Sequence, residues 1–419
     1  MPGASARALR YREPQRPRAK PMHKPLLSLL FMMACAGARP SPWVSPPPLA
    51  TLAPEVMPPR GLLLLGEVHG TKEIPRRVGE IVAAACRAGP VVLALELPPG
   101  RTPSLQAFLR GAGGAAARRQ LVADPWWRDP FQDGRRSAAM VDLLETVRAL
   151  RAGGCHVSVV PIDTDDVHAS AEDRESTLTA NALAARRGHP DAAMIVYAGN
   201  LHTGRAPAPL LPAFQWMATR LARAGLRFVT LDARWEEGTL WACRGATVEL
   251  CKVWFLSAAR PTGGVPGRAS PPRAPFALEP SGDGFDGWYA VGSLSASPPA
   301  VARYGADEAA GASAEAALAR EIAAVLTSAA AWRERARRAY REGDFDRCAA
   351  LFSRIAMPHG NDAYDHACCL ARAGRTDEAL ARLRYALAHG FTNLAHAESD
   401  PDLASLRYHP RWPLTAQRP

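Results

Sequence analysis

Two glutamates and two histidines have side chains that could carry out chemistry together. Glu67 and His69 lie in GEVHG (66–70), Glu96 lies further along the chain, and His202 lies in GNLH, which begins at Gly199. Imidazole and carboxylate groups perform general acid–base catalysis, and they also bind Zn, Mn, Co or Fe. The sequence therefore predicts Glu67, His69, Glu96 and His202 as catalytic residues, as ligands of a divalent transition metal, or as both.

Short apolar runs precede all four side chains. The runs cover 61–65, 91–95, 157–162, 194–198 and 227–231, and helical patterns separate them. Continuously apolar strands that alternate with amphipathic helices predict an α/β fold with a mostly parallel central sheet covered by helices. Because open sheets of this class bind ligands at the carboxyl ends of their strands, we expect the four side chains to meet at one edge.

Four further residues near these strand ends are candidates for substrate binding. Arg136, in DGRRS (133–137), could bind a carboxylate or phosphate, and the following Ser137 is predicted to cap a helix. Asp163 follows the third strand, where it could either orient a histidine or cap a loop. The other two candidates flank His202 in sequence and are Asn200 and Arg205.

Paired GxxH motifs with an intervening glutamate resemble those of the Tiki/TraB group. The motifs are 66–69 and 199–202, the glutamate is Glu96, and the resemblance spans about 61–299. That group belongs to a superfamily with erythromycin-esterase-like hydrolases and ChaN-like haem-binding lipoproteins. The resemblance implies an α/β domain over 61–299 that hydrolyses a peptide or ester bond. GxSxG, HExxH and GxxxxGK[ST] motifs are absent from the sequence, which disfavours several other enzyme classes.

The resemblance leaves three chemistries open. The Tiki proteases imply a metal-bound water held by His69, His202 and one glutamate, with the other glutamate as general base. The esterases imply a metal-free water activated by His69, which Glu67 or Glu96 orients. The ChaN-like proteins imply haem near His69 or His202 without turnover, and the aromatic side chains that could pack on it are Trp126, Trp127 and Phe131.

The amino terminus resembles a targeting segment. Residues 1–38 combine a basic region with an eleven-residue apolar run at 26–36, which is too short to span a bilayer. We therefore predict a signal peptide starting at Met1 or Met22, with lipidation at Cys35 as one alternative, and a Pro-rich linker at 39–60. The protein is then exported, either to the periplasm or cell envelope as a lipoprotein or as a secreted protein. Membrane association is expected only through this segment.

Net charge bears on the possible partners of the protein, and the cysteine positions bear on its possible disulfides. The 419-residue chain carries a net charge of +11, but six of those charges lie in residues 1–24 and the rest of the chain has no basic run. Nucleic acid is therefore not an expected partner. Cys243 and Cys251 flank a hairpin-like turn and form either a cross-strand disulfide, which export would favour, or two buried thiols.

A helical module is predicted after a flexible linker at 300–311. Residues 312–419 are rich in helix formers, and two segments with Gly343 and Gly374 at their turns resemble tetratricopeptide repeats. Such a module could bind a peptide or protein partner, or it could only pack against the α/β domain. An inactive protein that acts as a scaffold through these repeats is the third functional alternative, beside hydrolysis and metal or haem binding.

Overall fold

Strands and helices alternate from Leu62 onward in the computed structural model, which describes residues 49, 51–206, 214–245, 247–257, 274–356 and 358–414. The predicted signal peptide (1–38), including Cys35, and the first part of the predicted linker lie outside the described residues. None of the helices in the described part of the chain is both long and apolar enough to cross a bilayer.

Eight strands and fourteen α-helices are found in the described residues. The strands are β1 Leu62–Glu67, β2 Val91–Leu95, β3 Val157–Pro161, β4 Ala193–Gly199, β5 Val229–Cys243, β6 Cys251–Leu256, β7 Phe276–Ala277 and β8 Gly287–Leu294. The helices are α1 Glu73–Cys86, α2 Thr102–Arg110, α3 Gly114–Val122, α4 Ala138–Ala152, α5 Ala171–Gly188, α6 Asn200–Thr203, α7 Met217–Arg223, α8 Ala300–Tyr304, α9 Glu308–Leu326, α10 Ala329–Arg341, α11 Phe345–Phe352, α12 Gly360–Arg372, α13 Thr376–Ala388 and α14 Leu394–Ser399.

All eight strands form one mixed, mostly parallel sheet. Its order is β3-β2-β4-β1-β5-β8-β7, and β6 pairs with β5 outside this path. Along this order, each neighbouring pair among β3, β2, β4, β1, β5 and β8 is parallel. Strand β6 pairs antiparallel with β5, and β7 pairs antiparallel with β8. The predicted α/β fold class is therefore confirmed.

Apolar side chains leave both faces of β1 and bury two separate cores. Leu63 and Leu65 pack on one face with residues of α1 and α4, whereas Leu62 and Leu64 pack on the other with residues of α5 and α7. A strand that is buried on both faces needs this uninterrupted apolar run, which explains why no polar alternation is seen in LLLL. The polar residues begin where the strands end.

The carboxyl-terminal helices differ from the predicted boundaries. The predicted flexible linker at 300–311 is largely helical, because α8 lies within it and α9 begins at Glu308. Leu318 of α9 packs against Val253 and Ala296, and the Glu321 carboxylate accepts a hydrogen bond of 3.0 Å from the backbone N–H of Val253. Helix α9 therefore covers the β6 edge of the sheet, where the backbone groups of an edge strand need partners.

Helices α10 to α13 form two helical hairpins around a separate apolar core. Gly343 and Gly374 lie at the two turns with φ of 75°, a left-handed conformation that glycine adopts without a Cβ clash. This placement matches the expected turn glycines. The assignment of these hairpins as tetratricopeptide repeats stays a prediction.

Three disulfides are present among the described cysteines. Cys243–Cys251 joins β5 to β6 as the predicted cross-strand disulfide. These two cysteines are therefore not the buried thiols of the alternative prediction. Two further pairs, Cys86–Cys155 and Cys348–Cys369, were not predicted from the sequence. Cys368 is a buried free thiol.

Candidate active site

Strand order brings the four predicted catalytic residues to one edge of the sheet. Glu67 ends β1, Glu96 follows β2, and His202 lies in the short helix α6 that follows β4. Because β4 lies between β1 and β2, its carboxyl end is flanked by both glutamates. The imidazole Nε2 atoms of His69 and His202 lie 3.6 Å and 3.7 Å from the Glu96 carboxylate.

Gly199 makes this convergence sterically possible. It is the last residue of β4 and lies opposite Glu67 in the pairing register. A Cβ atom at this position would lie 3.1 Å from His69 Nε2 and 3.5 Å from Glu96 Oε2. The first of these distances is tighter than an ordinary van der Waals contact, so a glycine lets the imidazole and the carboxylate approach the strand end.

His69 is held by a glutamate that is itself anchored. Its Nδ1–H donates a 2.8 Å hydrogen bond to Glu67 Oε1, and the Tyr197 hydroxyl donates to the other oxygen of Glu67. Burial alone would lower the pKa of His69, but the carboxylates of Glu67 and Glu96 outweigh it and raise that pKa to about 9. The side chain is 23% exposed, so Nε2 belongs to a partly accessible imidazole.

Glu96 is the buried centre of the site. Its carboxylate accepts a 2.7 Å hydrogen bond from the backbone N–H of Gly199 and a 2.5 Å bond from Arg174. Burial would raise the pKa of Glu96, but the positive charges around it, first His69 and then Arg135 and Arg174, lower it far below the usual range. Glu96 is therefore an ionised carboxylate that accepts hydrogen bonds from Gly199 and Arg174.

Two guanidinium groups lie over this carboxylate, and sequence analysis predicted neither. Arg174 on α5 donates to both oxygens of Asp163 at 2.8 and 2.9 Å as well as to Glu96. Arg135 donates to Asp163 at 2.7 Å and lies 3.6 Å from Glu96. Asp163, a predicted substrate-binding residue, therefore positions two arginines. Arg174 gave no sequence signal, because a charged residue near the start of a polar helix is ordinary.

The other predicted substrate-binding residues have different surroundings. Arg136 donates to the backbone carbonyl of Phe131 at 3.1 Å and stacks on Trp126, with 4.7 Å between the guanidinium carbon and the ring centroid. Arg205 bonds Asp286 at 2.6 Å and is not among the side chains that contact Glu96. Asn200 begins α6 and is partly exposed. Ser137 caps α4, as predicted, by accepting a hydrogen bond from the Met140 N–H.

A cavity of about 410 Å³ lies beside the two arginines. Its wall includes Arg135, Arg174 and Asp163, together with the Arg136–Trp126 stack. The volume is within the range of pockets that hold small-molecule substrates. Arg135 and Arg174 thus line a substrate-sized space and also contact the Glu96 carboxylate.

The four predicted ligands do not fit a transition metal as they are arranged. The bonds from Nδ1 of His69 to Glu67 and from Nδ1 of His202 to Glu175 would leave both Nε2 atoms for a metal, but the Arg174 guanidinium lies 3.4 Å from His202 Nε2. A guanidinium beside the remaining donor atoms repels a divalent cation. Within the described ranges, one group of three such side chains has all its donor atoms within 4.8 Å, and it is a different one: Cys368, Asp400 and Asp402.

That second group is held together by hydrogen bonds within the carboxyl-terminal helices. The Tyr364 hydroxyl donates to Asp400 at 2.5 Å, and the Tyr340 hydroxyl donates to Asp402. Arg372 donates to the other oxygen of Asp402 at 2.8 Å. These donors already occupy the carboxylate oxygens, so the group stabilises helix packing.

The residues do not fit the haem alternative either. The residues lining the 410 Å³ cavity include neither His69 nor His202, so no axial imidazole faces it. Trp127 is buried in the core, and Arg136 covers the ring of Trp126. Two of the aromatic side chains that could have packed on a porphyrin therefore have other partners.

Comparisons with known proteins show similarity to part of this chain. No protein-family model matches the sequence, and no curated protein matches it. Among solved structures, a mutant of the erythromycin esterase EreC in its open conformation is 12% identical, with a TM-score of 0.43 over 58% of this chain and 93% of that one. A Bacillus cereus protein is 13% identical, with a TM-score of 0.38 over 57% of this chain and 90% of that one. The type III effector HopBA1 is 17% identical, with a TM-score of 0.29 over 48% of this chain and 91% of that one.

Proposed function

We propose that this protein is a hydrolase of ester or peptide bonds in which His69 activates water without a metal. The observation that carries the proposal is the Tyr197–Glu67–His69 chain, in which Nδ1 of a partly exposed imidazole is bonded to Glu67. The other nitrogen, Nε2, lies 3.6 Å from Glu96 and is the one that transfers the proton. A histidine oriented in this way by a carboxylate is the usual form of a general base. The motif resemblance to the Tiki/TraB and esterase superfamily supports the same reaction class.

The proposed reaction uses one water molecule and returns one proton. His69 Nε2 takes a proton from water as the water oxygen attacks the carbonyl carbon, which gives a tetrahedral oxyanion. The guanidinium groups of Arg135 and Arg174, which lie 3.6 Å and 2.5 Å from the Glu96 carboxylate, stabilise this negative charge. When the bond to the leaving group breaks, the proton on Nε2 passes to the leaving alcohol or amine, and His69 is neutral again.

We also propose that the protein is exported. Three disulfides in the described part of the chain support export to an oxidising compartment, as the predicted signal peptide implies. Lipidation at Cys35 and a peptide or protein partner for the carboxyl-terminal helices remain part of the proposal.

Replacing His69 tests the proposed function. We expect His69→Ala to lower kcat/KM for a responsive p-nitrophenyl ester or peptide anilide by at least about 100-fold, since a general base contributes 10²–10⁴. The melting temperature should also fall, because the substitution leaves the buried carboxylates of Glu67 and Glu96 without the imidazole between them, so activities are compared at a temperature where both proteins are folded. His168→Ala is the matched control, since His168 is an exposed histidine in the loop after β3, at the same sheet edge.

Chelation separates the two mechanisms. We expect full activity after prolonged dialysis against EDTA and 1,10-phenanthroline. Loss of activity on chelation, restored by one transition metal, would establish the metal-bound water instead. A wild-type protein that turns over no member of a broad ester and peptide panel would refute hydrolysis altogether.

A further inference from the structure

Glu175 is a buried carboxylate that has no role in the proposed mechanism. It lies on α5 and is 2% exposed. One carboxylate oxygen contacts His202 Nδ1 at 2.5 Å, and the other accepts a 2.7 Å hydrogen bond from the backbone N–H of Met217 at the start of α7. Glu175 thus joins α6 and α7 to α5 through two buried hydrogen bonds.

These contacts define which nitrogen of His202 carries a proton. An ionised carboxylate only accepts hydrogen bonds, so Nδ1 must be the N–H donor to Glu175. On the opposite side of the ring, Arg174 lies 3.4 Å from Nε2, and a guanidinium only donates. The Glu96 carboxylate lies further from Nε2, at 3.7 Å, which is beyond hydrogen-bonding distance. Nε2 therefore presents a lone pair to Arg174, which leaves the ring proton on Nδ1.

We propose that Glu175 is a positioning residue that sets the tautomer of His202 and, through His202, the placement of Arg174 on Glu96. With the Nδ1–H form, Arg174 has acceptors on His202, Glu96 and Asp163 and stays over the site. With the opposite tautomer, an Nε2–H would point at the guanidinium, and the two donors would repel. The expected effect of Glu175 on kcat rests on the proposed function, in which Arg174 stabilises the oxyanion.

Glutamine is a sharp test of this role because it has nearly the same shape. Both oxygens of Glu175 face N–H donors, one from His202 and one from the Met217 backbone. A glutamine has one oxygen and one NH₂ group, so it can accept from only one of the two. The backbone N–H cannot rearrange, whereas His202 can change tautomer, so we expect Glu175→Gln to move the proton of His202 from Nδ1 to Nε2.

The experiment compares Glu175→Gln with Glu172→Gln on the same helix. Glu172 is 61% exposed and pairs with Arg220 at the surface, so it controls for the substitution and for helix stability. Nitrogen-15 spectra of the imidazole groups at neutral pH, assigned with His202→Asn, report the tautomer without any substrate. In the wild type and Glu172→Gln we expect Nδ1–H, and in Glu175→Gln we expect Nε2–H. With a turned-over p-nitrophenyl ester, kcat should fall about 10- to 100-fold in Glu175→Gln alone, with a smaller change in KM.

The outcomes separate this inference from the proposed function. A folded Glu175→Gln protein that keeps the Nδ1–H form and wild-type kcat would overturn the inference while leaving His69 as the general base. If Glu175→Gln does not fold, the wild-type spectrum decides, because Nε2–H or a doubly protonated His202 would equally overturn it. If no substrate is turned over, hydrolysis is refuted, and the spectra still determine whether Glu175 sets the tautomer.

Discussion

At the scale of residues, the site combines two histidines whose protonation is controlled differently. His69 faces Glu67 and Glu96, and these carboxylates hold its proton. His202 has a carboxylate at one nitrogen but the Arg174 guanidinium at the other. His69 thus has a carboxylate beside each nitrogen, and its raised pKa gives its proton transfer a distinct pH signature.

We expect kcat/KM to rise with pH and to level off above about 9. A general base must be unprotonated, and His69 has a pKa raised to about 9, so the active fraction grows about tenfold per pH unit below that value. The measurement is a pH–rate profile for a neutral ester substrate, with the stability of the enzyme checked at each pH. Glu67→Gln should shift the midpoint downward because it removes one of the charges that hold the proton. A profile that falls as pH rises through 9 would assign His69 the role of an acid.

At the scale of elements, the site depends on the residues that come directly after each strand. The ends of β1, β2 and β4 place Glu67, Glu96 and Gly199 side by side, and α6 returns His202 over the same edge. Helix α5 then lies on one face of the sheet and supplies Arg174 and Glu175 from consecutive positions. The precision of the site therefore depends on how closely these strand ends approach one another.

Adding one methyl group at the end of β4 should disturb catalysis more than folding. In Gly199→Ala the new Cβ would lie 3.1 Å from His69 Nε2, so the imidazole must shift by a few tenths of an ångström. We expect kcat to fall about 10- to 100-fold, as small misplacements of catalytic groups do, with circular dichroism unchanged. Gly188→Ala is the control, because nothing lies within 4 Å of a Cβ added at the end of α5. Equal activity of the two variants would show that Gly199 does not set the geometry.

At the scale of the whole molecule, covalent links reinforce elements that are distant in sequence. Cys86–Cys155 connects the end of α1 to the segment before β3 across 69 residues, whereas Cys243–Cys251 closes only eight. Both links lie in the α/β part of the chain. Helix α9 adds noncovalent contacts to the sheet edge through Glu321 and Leu318.

Removing the Cys86–Cys155 disulfide should lower the free energy of unfolding more than removing Cys243–Cys251. In the loop-entropy model, a 69-residue closure stabilises the fold by about 2 kcal/mol more than an eight-residue closure. We therefore expect the Cys86→Ser, Cys155→Ser double variant to unfold at lower denaturant than the Cys243→Ser, Cys251→Ser variant. Urea unfolding followed by fluorescence measures the difference. The reverse order would indicate that the hairpin link stabilises β6 by packing rather than by loop closure.

The sequence alone determined the alternation of strands and helices and the residues at the strand ends. Apolar runs and helical periods are local properties, so they located β1 to β5 and placed Glu67, His69, Glu96 and His202 at one edge. Only the tertiary structure identified Arg174 and Glu175, because on α5 they look like any polar residues of a helix. Their partners Glu96 and His202 lie 78 and 27 residues away, and the order β3-β2-β4-β1 brings them together. Charge complementarity over such distances depends on the packing of α5 on the sheet, which no local pattern encodes.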